Sequence, residues 1–451
     1  MKQFTRFFLF FPLLLSIACM AVTGLPHPTP TLLPASTYPT QPPTVTLLPA
    51  TSTAAPTNTL SAPVTPSAEQ TAIFEQLWQV VHDEYLYPDY NGADWEAIHQ
   101  EFSARVSAGL TPEAFYQAMD EMIARLNDEH SVFLSPQEAA EEDAEFAGEN
   151  DYVGIGILTA AVPERQRATV IVVFPDSPAE KAGLRSHDSI LSVDGQPILD
   201  EFGFLRSELL RGPQGSTIEI LAQTPGQAPR TLSVTRQRIF GALPVPFQVF
   251  TTPSGKRIGY LLIASLGDET VDEQVGKALR EMTRSAPLAG LILDNRQNPG
   301  GADSVAKGVL SYFTDGRLGY FADRHQKKRW FSVNGRDVGG SSRLPLVVLI
   351  GPDTVSFGEI ISGILQDQKR AYLIGETTTG NIELLWSYEF PDGSRAWIAH
   401  EAFHPTNHPE VNWEKSGITP DLLVSSNWDE ITPDTDPAIQ AALSYFEELH
   451  P

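Results

Sequence analysis

From Ser67 onward, apolar residues recur at helical spacing. Ile73, Leu77, Val80 and Val81 follow Ser67-Ala68-Glu69-Gln70, in which Gln70 stands three residues after a serine able to cap. Asp94 to Ala108 predicts a second helix. A third opens at Thr111-Pro112-Glu113, with proline in the first helical position, and carries Phe115, Met119, Met122, Ile123 and Leu126. At Tyr152 the pattern changes to short apolar runs. Val153–Ile157, Ala168–Val173, Ser189–Val193, Ile218–Ala222 and Arg230–Thr235 predict strands, with a tight turn at Asp194-Gly195. From Phe240 the two textures alternate. Ile258–Ile263, Leu288–Leu293 and Leu346–Ile350 predict strands. Val271–Thr283 predicts a helix, as do the segments carrying Val305, Val309, Leu310 and Phe313, and Ile360, Ile361, Ile364 and Leu365. Strand–turn–helix repetition implies parallel strands with helices packed on them, so the expected class is multidomain α/β.

Ahead of these elements the pattern is different. Lys2 and Arg6 precede an apolar run from Phe7 to Ala18, too short for a membrane span, so residues 1–19 predict an export signal. Ile17-Ala18-Cys19 matches the end of a lipoprotein signal, with Cys19 as the residue lipidated; a plain secretory signal is the alternative. Residues 20–66 hold 11 Pro and 12 Thr and no Asp, Glu, Lys or Arg, which predicts a disordered tether. The expected location is therefore the cell envelope, held to a membrane through a lipid anchor, or secreted. Cys19 is the only cysteine of 451 residues, which excludes an internal disulfide framework and a cysteine metal cluster. The formal charge of −25, from 56 acidic and 31 basic residues, argues against nucleic acid as a partner. Lys327-Lys328-Arg329 is the longest basic run and reads as a solvated loop.

Two strand-to-helix turns carry candidate chemistry. In Asp294-Asn295-Arg296-Gln297-Asn298-Pro299-Gly300-Gly301, paired glycines let the backbone present N–H groups to an anion. In Gly351-Pro352-Asp353-Thr354-Val355-Ser356-Phe357-Gly358-Glu359, a serine stands at the mouth of a helix. There it is either an N-cap or a nucleophile whose developing oxyanion meets backbone donors.

The order of motifs resembles a known family. Gly154-Ile155-Gly156-Ile157, then Asp176 to Leu184, His187 to Gly195 and Arg211 to Ser216 resemble a PDZ domain of the bacterial protease type. Asn298-Pro299-Gly300-Gly301, Ser356-Phe357-Gly358-Glu359-Ile360, Gly375 to Gly380 and Gly417-Ile418-Thr419-Pro420-Asp421 resemble the tail-specific, or carboxy-terminal-processing, serine peptidases of family S41. The resemblance implies a crotonase-like core with an inserted PDZ domain that docks substrate chains, often at their C-termini. It implies Ser356 as nucleophile, Gly300, Gly301 and Phe357 as oxyanion donors, and Gly154 to Ile157 as the peptide-binding loop. The expected division is 67–149 helical, 150–239 PDZ and 240–451 peptidase.

The general base departs from that pattern. The carboxy-terminal-processing branch places a lysine 25 residues after its serine; here Asn381 stands there and cannot accept the proton. His130, in Leu126-Asn127-Asp128-Glu129-His130-Ser131, resembles the tricorn-type branch, with Glu414 where that branch's glutamate is expected. Glu129 stands where the supporting serine would be, and Ser131 is a substitute. A neutral histidine fixed by a carboxylate suits the task near pH 7. The plain alternative for His130 is a cation at a helix C-terminus. Loss of the lysine leaves a second function open, a peptide-binding protein with an inactive core. His400-Glu401-Ala402-Phe403-His404 matches the zinc-peptidase pattern. That chemistry needs a helix, while Arg395 to Ala399 predicts a strand and Pro405 and Pro409 follow. No metal or cofactor is expected.

Overall fold

The computed structural model describes residues 65–128, 130–146, 152–240, 242–414 and 416–449. The export segment, Cys19 and all but the last two residues of the tether lie outside the described residues, as do Glu129 and Lys415.

A six-stranded sheet forms the centre. Its order is Phe247–Thr251, Arg257–Leu262, Gly290–Asp294, Leu346–Ile350, Tyr372–Gly375, Leu422–Leu423. The first pair is antiparallel and the others are parallel. Gly290–Asp294 and Leu346–Ile350 are buried at every position because both sheet faces are covered. Leu291, Leu293, Val348 and Ile350 pack with residues of the helices Val271–Thr283, Asp303–Leu310 and Phe357–Asp367. Ile292, Val347 and Leu349 pack with Ala438, Ile439, Ala442 and Phe446 of the helix Pro437–Glu448. Alternate side chains of one strand thus serve two cores. Phe313 lies beyond the end of its predicted helix, which stops at Leu310, yet its ring is fully buried.

A second sheet is built around the long strand Arg395–Pro405. Leu384–Glu389 pairs along one edge, and Val132–Leu134 and Gly316–Asp323 share the other. Lys328–Val333 extends the sheet, so the basic run is partly a strand, and Arg329 Nη2 donates to Glu401 Oε2 at 2.7 Å. The N-terminal helices Ala68–Glu84, Trp95–Ser107 and Pro112–Ala124 are capped by the side chains of Ser67, Asp94 and Thr111. Their buried stripes pack with Trp397, Ile398 and Ala399. This segment is therefore not purely helical: Val132–Leu134 stitches it into the second sheet.

The third sheet runs Ile157–Val162, Arg167–Val173, Ser189–Val193, Thr217–Gln223, Arg230–Thr235. The predicted strand Val153–Ile157 is instead broken in two. Tyr152–Gly154 pairs with Gln237–Ile239, and Ile157 opens the next strand. Gly156, at φ +79°, makes the break, and a Cβ there would lie 2.5 Å from Ser177 Cβ. None of the described helices is long and apolar enough to cross a membrane.

Candidate active site

Ser356 ends the turn that joins Leu346–Ile350 to Phe357–Asp367. Its backbone has φ +56° and ψ −126°, a conformation that L-residues avoid and that costs about 1–3 kcal/mol. The side chain is buried, and its Oγ has no hydrogen-bond partner. Ser356 and Glu359 stand in a capping-box arrangement, with Glu359 Oε2 accepting from Ser356 N, but Ser356 Oγ forms no hydrogen bond with the helix's first N–H groups. The backbone is held instead: Ser356 N donates to Asn381 O at 2.8 Å and to Glu359 Oε2 at 3.2 Å. The same Glu359 carboxylate accepts from Thr378 Oγ1, Gly380 N at 2.7 Å and Asn381 N at 2.8 Å. Asn381, in the lysine position, thus contributes its main chain to the support of Ser356.

The glycine turn lies against this serine. A Cβ on Gly300 would stand 2.7 Å from Ser356 Cβ, 3.0 Å from Oγ and 3.1 Å from Phe357 N, so only glycine fits. Asn298 and Asn295 tie the two turns together. Val355 N donates to Asn298 O at 2.9 Å, and Asn295 Nδ2 donates to Gly358 O at 2.7 Å. The Gly300 N–H is already committed, donating to Asn298 Oδ1 at 2.9 Å. Gly301 bridges to Leu266 through its neighbours, Leu266 N donating to Gly300 O and Ala302 N to Leu266 O. Of the three expected donors, Gly301 and Phe357 are therefore the ones whose N–H groups are not engaged in these bonds.

His130 precedes the strand Val132–Leu134 and is buried, 8% exposed. Its Nε2 hydrogen-bonds Glu414 Oε1 at 2.9 Å. Glu414 Oε2 in turn accepts from Ile382 N at 2.8 Å. The sequence offered no sign of a third member, Glu383, whose Oε2 lies 3.9 Å from His130 Nε2 and whose Oε1 accepts from Tyr87. It stands two residues after Asn381, just ahead of the strand Leu384–Glu389, in no motif. Burial alone would lower the His130 pKa, but the bond to Glu414 and the charges of Glu383, Glu414 and Asp128 outweigh it and raise the value to about 9. Glu383 is pushed up by burial and by the neighbouring Glu414 charge. Ser131 does not support His130: its Oγ donates to Asp128 Oδ2 at 3.0 Å and accepts from Ala399 N. A cavity of about 440 Å³ adjoins the cluster, lined by His130, Glu383, Glu414, Tyr87, Asp128 and Gly380. Ser356 N bonds Asn381 O, and Glu414, the partner of His130, bonds Ile382 N, so both are tied to the segment 378–383, and no hydrogen bond joins His130 to Ser356.

The zinc-peptidase pattern falls on the strand Arg395–Pro405. His400 stacks on Trp386 at 3.8 Å and bonds Glu84, whereas His404 bonds Pro409 O. The two histidines serve separate contacts. Lys369 is exposed.

A separate groove of about 170 Å³ runs beside Ile157–Val162, the end strand of the third sheet. Ile155, Gly156, Ile157, Leu205 and Leu210 are among the residues that line it. Gly154 precedes the break, and the Arg211 guanidinium lies over the Tyr152 ring at 5.1 Å.

The fold and these turns define a hydrolase with a helix-mouth serine and an attached, grooved third sheet. Peptidase family S41 matches residues 257–424, the tricorn protease C1 domain residues 66–124, and a PDZ domain residues 169–224. A carboxyl-terminal-processing protease of Picosynechococcus sp. is 30% identical over 373 residues, covering 82% of this chain and 87% of its own. One from Synechocystis sp. is 29% identical over 392 residues, covering 84% and 88%. The solved photosystem II D1 C-terminal processing protease superposes with a TM-score of 0.57 at 28% identity, covering 79% of this chain and 93% of its own. The chain belongs to peptidase family S41 and is a serine-type peptidase with a PDZ domain.

Proposed function

We propose that this chain is an exported, tail-specific endopeptidase that cuts protein or peptide chains by acyl-enzyme chemistry at Ser356. The observation that carries the assignment is Ser356 itself: strained, buried, unpartnered at Oγ and abutting Gly300. A substrate tail adds to the free edge of Ile157–Val162, its C-terminus at the Gly154-Ile155-Gly156-Ile157 loop. Ser356 Oγ attacks the scissile carbonyl while His130 accepts its proton. The N–H groups of Phe357 and Gly301 receive the oxyanion. His130 then returns the proton to the leaving amine, and water resolves the ester.

Glu414 holds Nε2, which leaves Nδ1 as the nitrogen that faces Ser356 in the reacting state. Reaching it takes a movement of the segment 378–383, of the kind substrate binding drives in other hydrolases. With a pKa of about 9, the proton-accepting form of His130 is the minority at pH 7 in the resting arrangement. Residues 1–19 export the chain and Cys19 anchors it by a lipid. Residues 67–149, 150–239 and 240–451 are its helical, PDZ and peptidase parts.

A fluorophosphonate probe tests the machinery. It should label the intact protein, fail on Ser356→Ala and label His130→Ala at least about a hundredfold more slowly. Undiminished labelling of His130→Ala removes histidine as the base. No labelling of the parent at any pH favours the peptide-binding alternative.

A further inference from the structure

The buried cluster beside the serine has more carboxylate than one histidine needs. Its three ligand atoms, one each from His130, Glu383 and Glu414, lie within 4.8 Å of one another. Glu414 Oε1 is 2.9 Å and Glu383 Oε2 3.9 Å from His130 Nε2. In a tetrahedral zinc site, ligands at about 2.0–2.2 Å from the ion are separated by about 3.3–3.6 Å, which falls between these two spacings. Glu383 Oε2 is buried on a side chain only 2% exposed, and it has no hydrogen-bond partner. The His130 ring offsets its charge from 3.9 Å, but no donor reaches this buried oxygen, which leaves it open to a ligand that both carboxylates and the imidazole can share.

The outer partners are those of a built site. Tyr87 donates to the far oxygen of Glu383, and Ile382 N donates to the far oxygen of Glu414, so each carboxylate turns its other oxygen towards the histidine. The adjoining cavity of about 440 Å³ supplies an entry path and room for a water as fourth ligand. We propose that His130, Glu383 and Glu414 form a binding site for a divalent transition-metal ion of the zinc class, and that the ion holds the peptidase inactive.

The donor set selects the ion. One imidazole nitrogen and two carboxylates suit zinc, whereas calcium and magnesium take oxygen shells of six or more. Two carboxylates and a neutral imidazole carry two negative charges, which a divalent ion cancels. The inhibitory consequence rests on the reading of His130 as base. An imidazole bound to the ion through Nε2 carries its proton on Nδ1 and has no lone pair left for the Ser356 proton. The binding itself does not rest on that reading.

Zinc chloride titrated into chelator-stripped, full-length Ser356→Ala protein tests binding without catalysis. Calorimetry should give one ion per chain, and Glu383→Gln in that background should weaken it by more than about a hundredfold, beyond the loss of an outer-shell partner. Zinc-edge absorption spectroscopy of the loaded protein, which needs no substitution in the cluster, should show one imidazole among nitrogen and oxygen ligands. No binding, unaltered binding in folded Glu383→Gln protein, or a spectrum with two or more imidazoles overturns the site. In the parent protein, zinc should abolish probe labelling of Ser356 and chelator restore it. Binding with unchanged labelling overturns the inhibitory role alone, and absent labelling in chelator tells instead against the peptidase reading.

Discussion

Glu359 is a fully buried carboxylate that no cation pairs with among the described residues. Burial raises its pKa, and four hydrogen bonds to its oxygens work the other way. Three of those donors belong to the segment 378–381 and one to the Ser356 main chain, so a single side chain sets the distance between Ser356 and the segment. Glu359→Gln turns an acceptor into a donor facing backbone N–H groups. It should cost about 1–3 kcal/mol for each N–H left without a partner. Acylation of the folded variant should also slow on the order of a hundredfold, because the strained φ of Ser356 is no longer held. Probe labelling measured well below the melting temperature separates these effects. A lower melting temperature with an unchanged labelling rate reduces Glu359 to a structural residue. Ser356, His130 and Glu414 were candidates in the sequence because each lies in an ordered motif. Glu383 was not, since its significance is only its proximity to a residue 253 positions earlier in the chain.

The elements carry their own constraint, the contact between the glycine turn after Gly290–Asp294 and the mouth of the helix Phe357–Asp367. Gly300 has φ +99°, and the space for its Cβ is occupied by Ser356. Gly300→Ala should push the two turns apart by several tenths of an ångström or more. The expected result is loss of Ser356 labelling by at least about a hundredfold, with the central sheet and its circular dichroism retained. Full labelling of Gly300→Ala would mean that the turns do not act together. Parallel strands such as Leu346–Ile350 were readable, because burial on both faces writes an unbroken apolar run. The second sheet was readable only in part: Arg395 to Ala399 was expected as a strand, but the element runs to Pro405, buried at nine of its 11 positions although it includes Arg395, His400 and Glu401. These polar residues are satisfied by partners far away in sequence, Arg395 by Glu142 and Glu389, and Glu401 by Arg329. Periodicity cannot report such pairing.

The whole molecule depends on how the PDZ sheet sits on the central one. Ile171 and Val172 share a core with Ile292 and Leu349, and Arg165 pairs with the buried Asp429 at 2.6 Å. His187 lies in this contact. Its ring stacks on Trp428 at 4.1 Å, and its Nδ1 donates to Trp428 O at 2.8 Å. Trp428 Nε1 returns a bond to Val170 O, and the Arg296 guanidinium, from the glycine turn, lies 5.2 Å from the Trp428 ring. Burial holds the His187 pKa below its ordinary value despite the bond to Trp428, with Arg296 reinforcing the effect and Asp436 and Asp294 opposing it. The docked state thus prefers neutral His187. Its contribution is complete above about pH 6.5, the unfolded value, and is lost as pH falls from there towards the lowered folded pKa. Acid should therefore loosen the PDZ sheet from the central sheet. The melting temperature should fall more steeply between about pH 6.5 and 5 for the parent than for His187→Gln, whose amide can donate to Trp428 O but cannot titrate. Equal slopes would assign the acid sensitivity to other groups. Because Arg296 links Trp428 to the turn that bears Gly300 and Gly301, the same acid range should slow labelling of Ser356 more in the parent than in His187→Gln. A docking contact that merely held two domains together would change the melting slope and leave the labelling ratio untouched.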